Sequence, residues 1–155
     1  MRTKMHAIEL VSGVVVDPTI GHPWSEGGPA TVYDGLGAEA EDPAPTVVTR
    51  CLDCRAPLVI DLARIDAGTV LWQLMTEPWA RAVINAFRLV WRGEGEFRSI
   101  CDGLDLDAYL LAPVCGVCSA VHAVVLGYGE YQPCRYIGTY LGIARARPFT
   151  PNRAT

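Results

Sequence analysis

Two short stretches of the chain, Cys51-Leu52-Asp53-Cys54 and Cys115-Gly116-Val117-Cys118, decide how its sequence is interpreted. Each is a CxxC unit, and residues 55–114, 60 residues in all, separate the two. Both sulfurs of a CxxC turn can face the same space, so two such turns can supply the four thiolates of a closed tetrahedral zinc site. We therefore predict that Zn²⁺ is bound by Cys51, Cys54, Cys115 and Cys118.

The two units and their flanks resemble a zinc ribbon, in which each CxxC turn connects two short strands. The first unit lies between 46–48 and 58–62, where Leu58, Ile60 and Leu62 have period-two spacing, and the segment after the second unit, 119–128, is rich in valine, so both flanks are predicted to be strands. The resemblance covers only the turns and these flanking segments. It implies that the bound zinc has a structural role.

Two features depart from the ribbon pattern. The 60 residues between the units are far more than the roughly 15 to 20 residues that usually separate paired CxxC units of a zinc site. Ribbon turns favour glycine directly after each unit, because glycine readily adopts positive φ, whereas this chain has Arg55 and Ser119 at these positions. Arg50 and Arg55 flank the first unit, where they either offset the net charge of about −2 on a zinc–thiolate cluster or face water.

Thiol redox chemistry is the alternative use of a CxxC unit. It normally requires the first sulfur at a helix N-terminus, where the helix dipole lowers the thiol pKa. The segments after the two units, 57–62 and 119–128, instead have the composition of strands. A thiol oxidoreductase is therefore our second hypothesis, and reduced core cysteines or a disulfide without metal are the third.

Three further residues could bind a metal but lack a companion pattern. Cys101 and Cys134 are isolated in apolar surroundings and are predicted to be inert. His122 follows Cys118 on the next predicted strand, where a lone histidine is usually a core or surface group. The sequence leaves open whether one of the three replaces a predicted ligand.

Length and composition indicate one globular domain. The chain has 155 residues, of which 50% are hydrophobic and 19% charged, as in packed domains rather than disordered chains. A net charge of −4 makes nucleic acid a disfavoured partner. The longest apolar run, 120–128, is too short to span a bilayer and no signal peptide is recognisable, so we expect a cytoplasmic protein without a membrane partner.

The apolar pattern predicts an α+β fold, mainly antiparallel sheet with one principal amphipathic helix over about 76–92. Thr76 can cap this helix, Pro78 suits its first turn, and apolar residues recur at three-and-four spacing until Gly93. Period-two patterns or strand-forming composition predict the strands. They lie within 6–16, 46–62, 97–101, 121–128 and 136–144.

A single domain is predicted over 1–147, followed by a flexible tail at 148–155. The domain contains a long acidic loop, 17–46, rich in proline and glycine. Loops of that length in compact domains are functional or disordered. Trp24 and Tyr33 could pin this one to its own domain or contact a partner.

A second candidate surface is the aromatic stretch 127–136. Tyrosine and arginine are frequent anchors of protein interfaces, but packing of a hairpin with a Glu130–Arg135 ion pair would explain the same residues. The partner-binding candidates from both regions are Trp24, Tyr33, Tyr128, Glu130, Tyr131, Arg135 and Tyr136.

No catalytic constellation can be assembled from the sequence. It shows no nucleophile beside a base, no phosphate-binding glycine loop and no metal set with an open position. Asp102, Asp105 and Asp107 lack the spacing of a calcium loop and are predicted to form a solvated turn. The predicted function is a small zinc-binding, non-catalytic protein that binds another protein, as a regulator, an assembly factor or an immunity-type protein.

Overall fold

A computed structural model of the chain describes residues 8–10, 30–67, 69–70, 83–85, 87–95 and 98–148. Two 3-10 helices, η1 (Ala38–Ala40) and η2 (Leu62–Ala67), and a helical turn at 83–85 lie within these ranges. The strands are β1 (Ile8–Leu10), β2 (Ala30–Gly35), β3 (Thr46–Arg50), β4 (Pro57–Asp61), β5 (Thr69–Val70), β6 (Val90–Arg92), β7 (Ser99–Cys101), β8 (Ala108–Leu111), β9 (Val121–Gln132) and β10 (Arg135–Pro148).

The largest element is a six-stranded antiparallel sheet built around the long hairpin β9–β10. Its order is β1-β10-β9-β8-β5, and β2 also pairs with β10. β2 pairs with residues 136–140 of β10 and β1 with residues 146–148, so both lie on the side of β10 opposite β9. The hairpins β3–β4 and β6–β7 form two separate two-stranded sheets.

The large sheet is the middle layer of the fold, because β9 is buried on both faces over Val121–Tyr128. Val124 and Leu126 face a core that they share with the β3–β4 hairpin. Ala123 and Val125 face a second core on the other side, which contains residues of the 83–89 segment and of β7. Burial on both faces explains why this strand is almost continuously apolar.

A bulge in β10 redirects its last residues. The register of β10 against β9 shifts between Tyr140 and Gly142, and Gly142 has a φ of 146°, which glycine adopts without a side-chain clash. A one-residue shift exchanges the two faces of a strand. Tyr140 before the bulge and Ile143 after it therefore both lie in the core on the hairpin side. The side chain of Arg145 points to the same side of the sheet, where it contacts Leu52 and Asp53.

The predicted α+β class is wrong. The described residues are 53% strand and 12% helical, and no helix among them reaches seven residues. Within the predicted helix over 76–92, residues 83–85 form one helical turn, Arg88 adopts a φ of 53°, and β6 begins at Val90. Residues 76–82 and 86 of that prediction lie outside the described ranges.

The three-and-four spacing led to a wrong helix prediction because the last residues that follow it, Val90 and Trp91, are equally suited to a strand. Val83 and Phe87 are buried in one core, as the helical pattern required. Val90 and Trp91 continue the same spacing but are exposed residues of β6. β-Branched and aromatic side chains are favourable in strands, and the left-handed backbone of Arg88 ends the helical turn before them.

The strand predictions are confirmed where the structure describes them. β3 and β4 lie within 46–62, with the first CxxC unit between them. β9 and β10 extend beyond the predicted 121–128 and 136–144, and β7 lies within 97–101. Only β1 of the segment 6–16 belongs to the described residues.

The predicted long loop over 17–46 contains regular structure in its second half. β2 and η1 lie there, and β2 is held by pairing with β10. Residues 17–29 lie outside the described ranges. Of the predicted tail over 148–155, only Pro148 is described, as the last residue of β10.

Asp102 is a buried carboxylate, so the prediction of a solvated acidic turn is wrong for this residue, whereas Asp105 and Asp107 are exposed as predicted. The side chain of Asp102 is 1% exposed. Its Oδ1 accepts hydrogen bonds from the N–H groups of Leu104 and Leu106, at 2.8 and 3.1 Å, and its Oδ2 accepts one from the hydroxyl of Thr139. These bonds satisfy the buried oxygens and join the β7–β8 connection to β10.

We expect Gly127→Ala to destabilise the protein by about 2 kcal/mol, because a Cβ at this position of β9 would overlap Asp102 Oδ2 and Thr139 Oγ1. Gly129→Ala is the matched control on the same strand, since its Cβ would contact only Leu106 Cδ2, at 3.4 Å. Urea unfolding measures the free energy of unfolding of both variants. Equal losses of unfolding free energy would contradict the tight packing at Gly127.

Candidate metal centre

The two CxxC units meet in the folded chain. Cys51 and Cys54 lie in the connection between β3 and β4, and Cys115 and Cys118 lie in the connection between β8 and β9. Their four sulfurs all lie within 4.8 Å of one another. The Sγ atoms of Cys51 and Cys118 are 3.5 Å apart, as are those of Cys54 and Cys115. The four predicted ligands could therefore hold one metal ion.

The sulfur spacing fits tetrahedral coordination. Zinc–sulfur bonds of about 2.3 Å give sulfur–sulfur edges of about 3.8 Å in a regular tetrahedron, between the two 3.5 Å contacts and the 4.8 Å limit of the cluster. All four cysteines are free thiols. A donor set of four sulfurs is typical of Zn²⁺ or an iron–sulfur centre and unsuited to Mg²⁺ or Ca²⁺.

Both turns have the same backbone hydrogen bonds. In each, the N–H of the residue after the second cysteine, Arg55 or Ser119, donates to the carbonyl oxygen of the first cysteine at 3.0 Å. The N–H of the first cysteine donates to the carbonyl oxygen of Ala56 or Ala120, at 2.8 and 2.9 Å. Two unrelated connections of the chain thus form the same local structure.

Arg55 and Ser119 adopt the backbone conformation that ribbons usually give to glycine. Their φ angles are 67° and 62°. This left-handed conformation costs a residue with a Cβ about 1–2 kcal/mol. The absence of glycine after each unit therefore leaves the turn shape unchanged and adds local strain at the site.

The protonation of the four sulfurs is interdependent. Hydrogen bonds, first from the backbone of Cys118, lower the pKa of Cys115 to about 7 in spite of desolvation. The backbone N–H of Ala120 lowers the pKa of Cys118, but desolvation and the neighbouring sulfurs outweigh it and raise this pKa to about 12. One thiolate thus suppresses ionisation of its neighbours, and a cation would be needed to hold all four as thiolates.

Two residues that the sequence did not assign to the site fasten the first turn to the large sheet. His122 of β9 and Arg145 of β10 are paired across the two strands. His122 Nε2 accepts a hydrogen bond from the N–H of Leu52 at 3.1 Å and lies 3.7 Å from Cys51 Sγ. Arg145 donates to the carbonyl oxygen of Leu52 at 3.2 Å and to Asp53 Oδ1 at 2.8 Å.

His122 is a neutral core histidine. Its side chain is fully buried, and desolvation lowers its pKa. Since Nε2 accepts the Leu52 hydrogen bond, the ring proton is assigned to Nδ1. His122 supports the turn that carries Cys51, but it is not a member of the four-residue cluster found among the described residues.

The remaining candidates near the site have other partners. Arg50 donates to the carbonyl oxygen of Arg55 at 3.1 Å and is exposed, so it closes the base of the first turn. Cys101 is buried beside the hydroxyl of Ser99, at 3.1 Å. Cys134 is exposed at the end of the β9–β10 hairpin. Neither Cys101 nor Cys134 belongs to the metal cluster identified among the described residues.

Three of the partner-binding candidates form an aromatic group inside the fold. Tyr33 and Tyr128 are buried, and Tyr128 stacks on Tyr136 with ring centroids 5.8 Å apart. The hydroxyls of Tyr33 and Tyr128 accept hydrogen bonds from the N–H groups of Gly37 and Ala38. These two tyrosines therefore hold η1 against the sheet. Trp24 lies outside the described residues.

The other three candidates are exposed at the tip of the β9–β10 hairpin. Arg135 donates to both carboxylate oxygens of Asp34, at 3.0 and 3.1 Å, rather than to Glu130. Glu130 instead accepts the N–H of Cys134 at 2.7 Å. Tyr131 donates to Asp34 Oδ1 at 3.2 Å, and the Arg135 guanidinium lies 5.7 Å from its ring centroid.

Comparisons with protein-family models, curated proteins and solved structures give no significant match to this chain. In the described part of the chain, no helix has the length and apolarity needed to cross a membrane.

Metal affinity should fall as the pH is lowered. The pKa of Cys115 is about 7 and those of Cys54 and Cys118 are raised, so protons and metal compete for the same sulfurs. We expect the apparent zinc affinity to weaken by more than about 100-fold from pH 8 to pH 6. Competition with a chromophoric chelator whose own pH dependence is known measures the apparent zinc affinity at each pH. A zinc affinity that does not change with pH would contradict binding by thiolates.

Arg145→Met should weaken zinc binding by about 10- to 100-fold, the usual effect of losing a group that orients a ligand. The reason is that Arg145 holds the peptide between Cys51 and Cys54 at two points. Arg92→Met is the matched control, since Arg92 forms a similarly exposed ion pair with Asp105, also at 2.8 Å. Equal zinc affinities of the two variants would show that Arg145 does not support the site.

Proposed function

We propose that this chain is a small, non-catalytic protein whose fold is stabilised by one structural Zn²⁺ bound to Cys51, Cys54, Cys115 and Cys118. The convergence of these four free thiols within 4.8 Å carries the proposal. Four sulfurs occupy every position of a tetrahedral ion and leave none for a substrate, as in structural zinc sites.

The position of the cluster explains what the metal would stabilise. The β3–β4 hairpin is paired only with itself among the named strands, and an isolated two-stranded hairpin is marginally stable in water. Its Val47, Leu58 and Ile60 pack against the large sheet, and Thr49 shares a hydrogen bond with Tyr140 at 2.9 Å. A metal would add a connection at the end of the hairpin, so its binding energy would contribute to folding.

Metal content and stability test this role together. The purified, reduced protein should contain about one zinc per chain and lose several degrees of thermal midpoint on chelation. Cys51→Ser and Cys115→Ser should weaken zinc binding by at least about 100-fold, because a hydroxyl is a poor zinc ligand. Cys134→Ser, an exposed cysteine outside the cluster, is the control. Identical stability of the loaded and chelated proteins would contradict a structural metal.

We further propose that the protein acts by binding another protein. The exposed group of Asp34, Tyr131 and Arg135 supports this proposal, because it presents an aromatic ring and a guanidinium already oriented by hydrogen bonds. The net charge of −4 does not favour nucleic acid.

A partner retained from cell extract by the immobilised protein should be lost, or bound at least about 10-fold more weakly, with Tyr131→Ala. Arg92→Ala, a change in an exposed ion pair elsewhere, should retain it. Retention of the same partner by both variants would contradict a role of the hairpin tip. Failure of the zinc-loaded protein to retain any partner would contradict the interaction role.

A thiol oxidoreductase is the alternative, favoured by one observation, the pKa of about 7 at Cys115. Both CxxC turns lead into strands, β4 and β9, rather than helices, so the usual helix dipole is missing. Dithiol turnover by the metal-free protein that Cys115→Ser abolishes would favour this alternative over the structural role.

A further inference from the structure

The four sulfurs differ in their access to solvent. Cys51 and Cys115, the first cysteine of each unit, are 0% and 1% exposed. Cys54 and Cys118, the second of each unit, are exposed. A small solute therefore reaches the cluster at the sulfurs of Cys54 and Cys118.

Each exposed sulfur is in contact with a buried sulfur of the other turn. Cys54 Sγ lies 3.5 Å from Cys115 Sγ, and Cys118 Sγ lies 3.5 Å from Cys51 Sγ. Each contact thus joins an accessible thiol to a protected one, and both contacts connect the β3–β4 hairpin to the large sheet. A small movement of the side chains would bring either pair to the bonding distance of about 2.05 Å.

We propose that the cluster is a modification site for hydroperoxides, at which oxidation forms the two cross-turn disulfides Cys54–Cys115 and Cys51–Cys118 and releases the metal. This inference rests on the proposed zinc site. It adds the identity of the attacked sulfurs, the class of oxidant and the connectivity of the product.

The chemistry requires one hydroperoxide for each disulfide. The thiolate of Cys54 attacks the peroxide, the O–O bond breaks, and a sulfenic acid and hydroxide are formed. The thiolate of Cys115 then attacks the Cys54 sulfur, the S–S bond forms, and a second hydroxide leaves. The two sulfurs lose two electrons, the peroxide gains them, and two protons from solvent convert the hydroxides to water. Cys118 and Cys51 react in the same way.

The connectivity determines what happens to the fold. Disulfides across the turns keep the hairpin fastened to the sheet after the sulfurs no longer bind a metal. Disulfides within each CxxC unit would remove the sulfur link between the two turns and leave the hairpin with its core packing and the hydrogen bonds of Thr49, Leu52 and Asp53 to the sheet. The proposed product is therefore a metal-free protein that retains the native arrangement of strands.

Tryptic mapping distinguishes disulfides across the turns from disulfides within each unit, because trypsin cleaves on both sides of each CxxC unit and places the two units on different peptides. Cleavage after Arg50 and Arg55 gives the peptide 51–55 with both cysteines of the first unit, and cleavage after Arg98 and Arg135 gives the peptide 99–135 with both of the second. The experiment uses the Cys134→Ser variant, which lacks the exposed cysteine outside the cluster. This variant is reduced, loaded with zinc, analysed for metal, treated with two equivalents of hydrogen peroxide and digested without reductant.

We expect peptide 51–55 to be recovered covalently attached to peptide 99–135, with about one equivalent of zinc released and four thiols lost. Tandem mass spectrometry should assign Cys54 to Cys115 and Cys51 to Cys118. A free peptide 51–55 with an internal disulfide, or the opposite cross-turn pairing, would overturn the inference. Absence of zinc before peroxide is added would instead refute the proposed function, so the two failures are distinguishable.

Discussion

The convergence of four sulfurs from two separate connections is the constraint on which this structure depends. One CxxC turn belongs to a small hairpin and the other to the large sheet. The hairpin contributes Val47, Leu58 and Ile60 to the shared core, and its CxxC turn lies at the end where the four sulfurs meet. The sulfurs can meet only when the hairpin is docked on the large sheet.

The large sheet supports the site through polar groups on both of its faces. On the hairpin side, His122 and Arg145 bind the peptide between the first two cysteines. On the opposite side, Asp102 and Thr139 form a buried, hydrogen-bonded pair. Buried polar groups are tolerated where their hydrogen bonds are made, as they are for both oxygens of Asp102 and for His122 Nε2, whereas His122 Nδ1 has no partner among the described residues. These bonds fix β9 and β10 in one register, which places Cys115 and Cys118 opposite the hairpin.

The sequence predicted the clustering of the four cysteines and most strands, because each depends on local patterns. CxxC spacing is itself the geometry of a metal-binding turn, and alternating or strand-forming apolar residues indicate β3, β4, β9 and β10. The helix prediction failed because Val90 and Trp91 fit helix and strand equally well. Arg145 was missed because its direction depends on the bulge at Gly142, a feature of strand pairing that its neighbours in sequence do not reveal.

X-ray absorption at the zinc edge of the reduced protein identifies the atoms that bind the metal. A site of four cysteines should give a single shell of four sulfur neighbours at about 2.3 Å and no nitrogen or oxygen ligand. A shell containing an imidazole nitrogen would mean that His122 or another histidine replaces a cysteine. That result, or a protein that carries no zinc after purification in its presence, would contradict a zinc ion bound by Cys51, Cys54, Cys115 and Cys118.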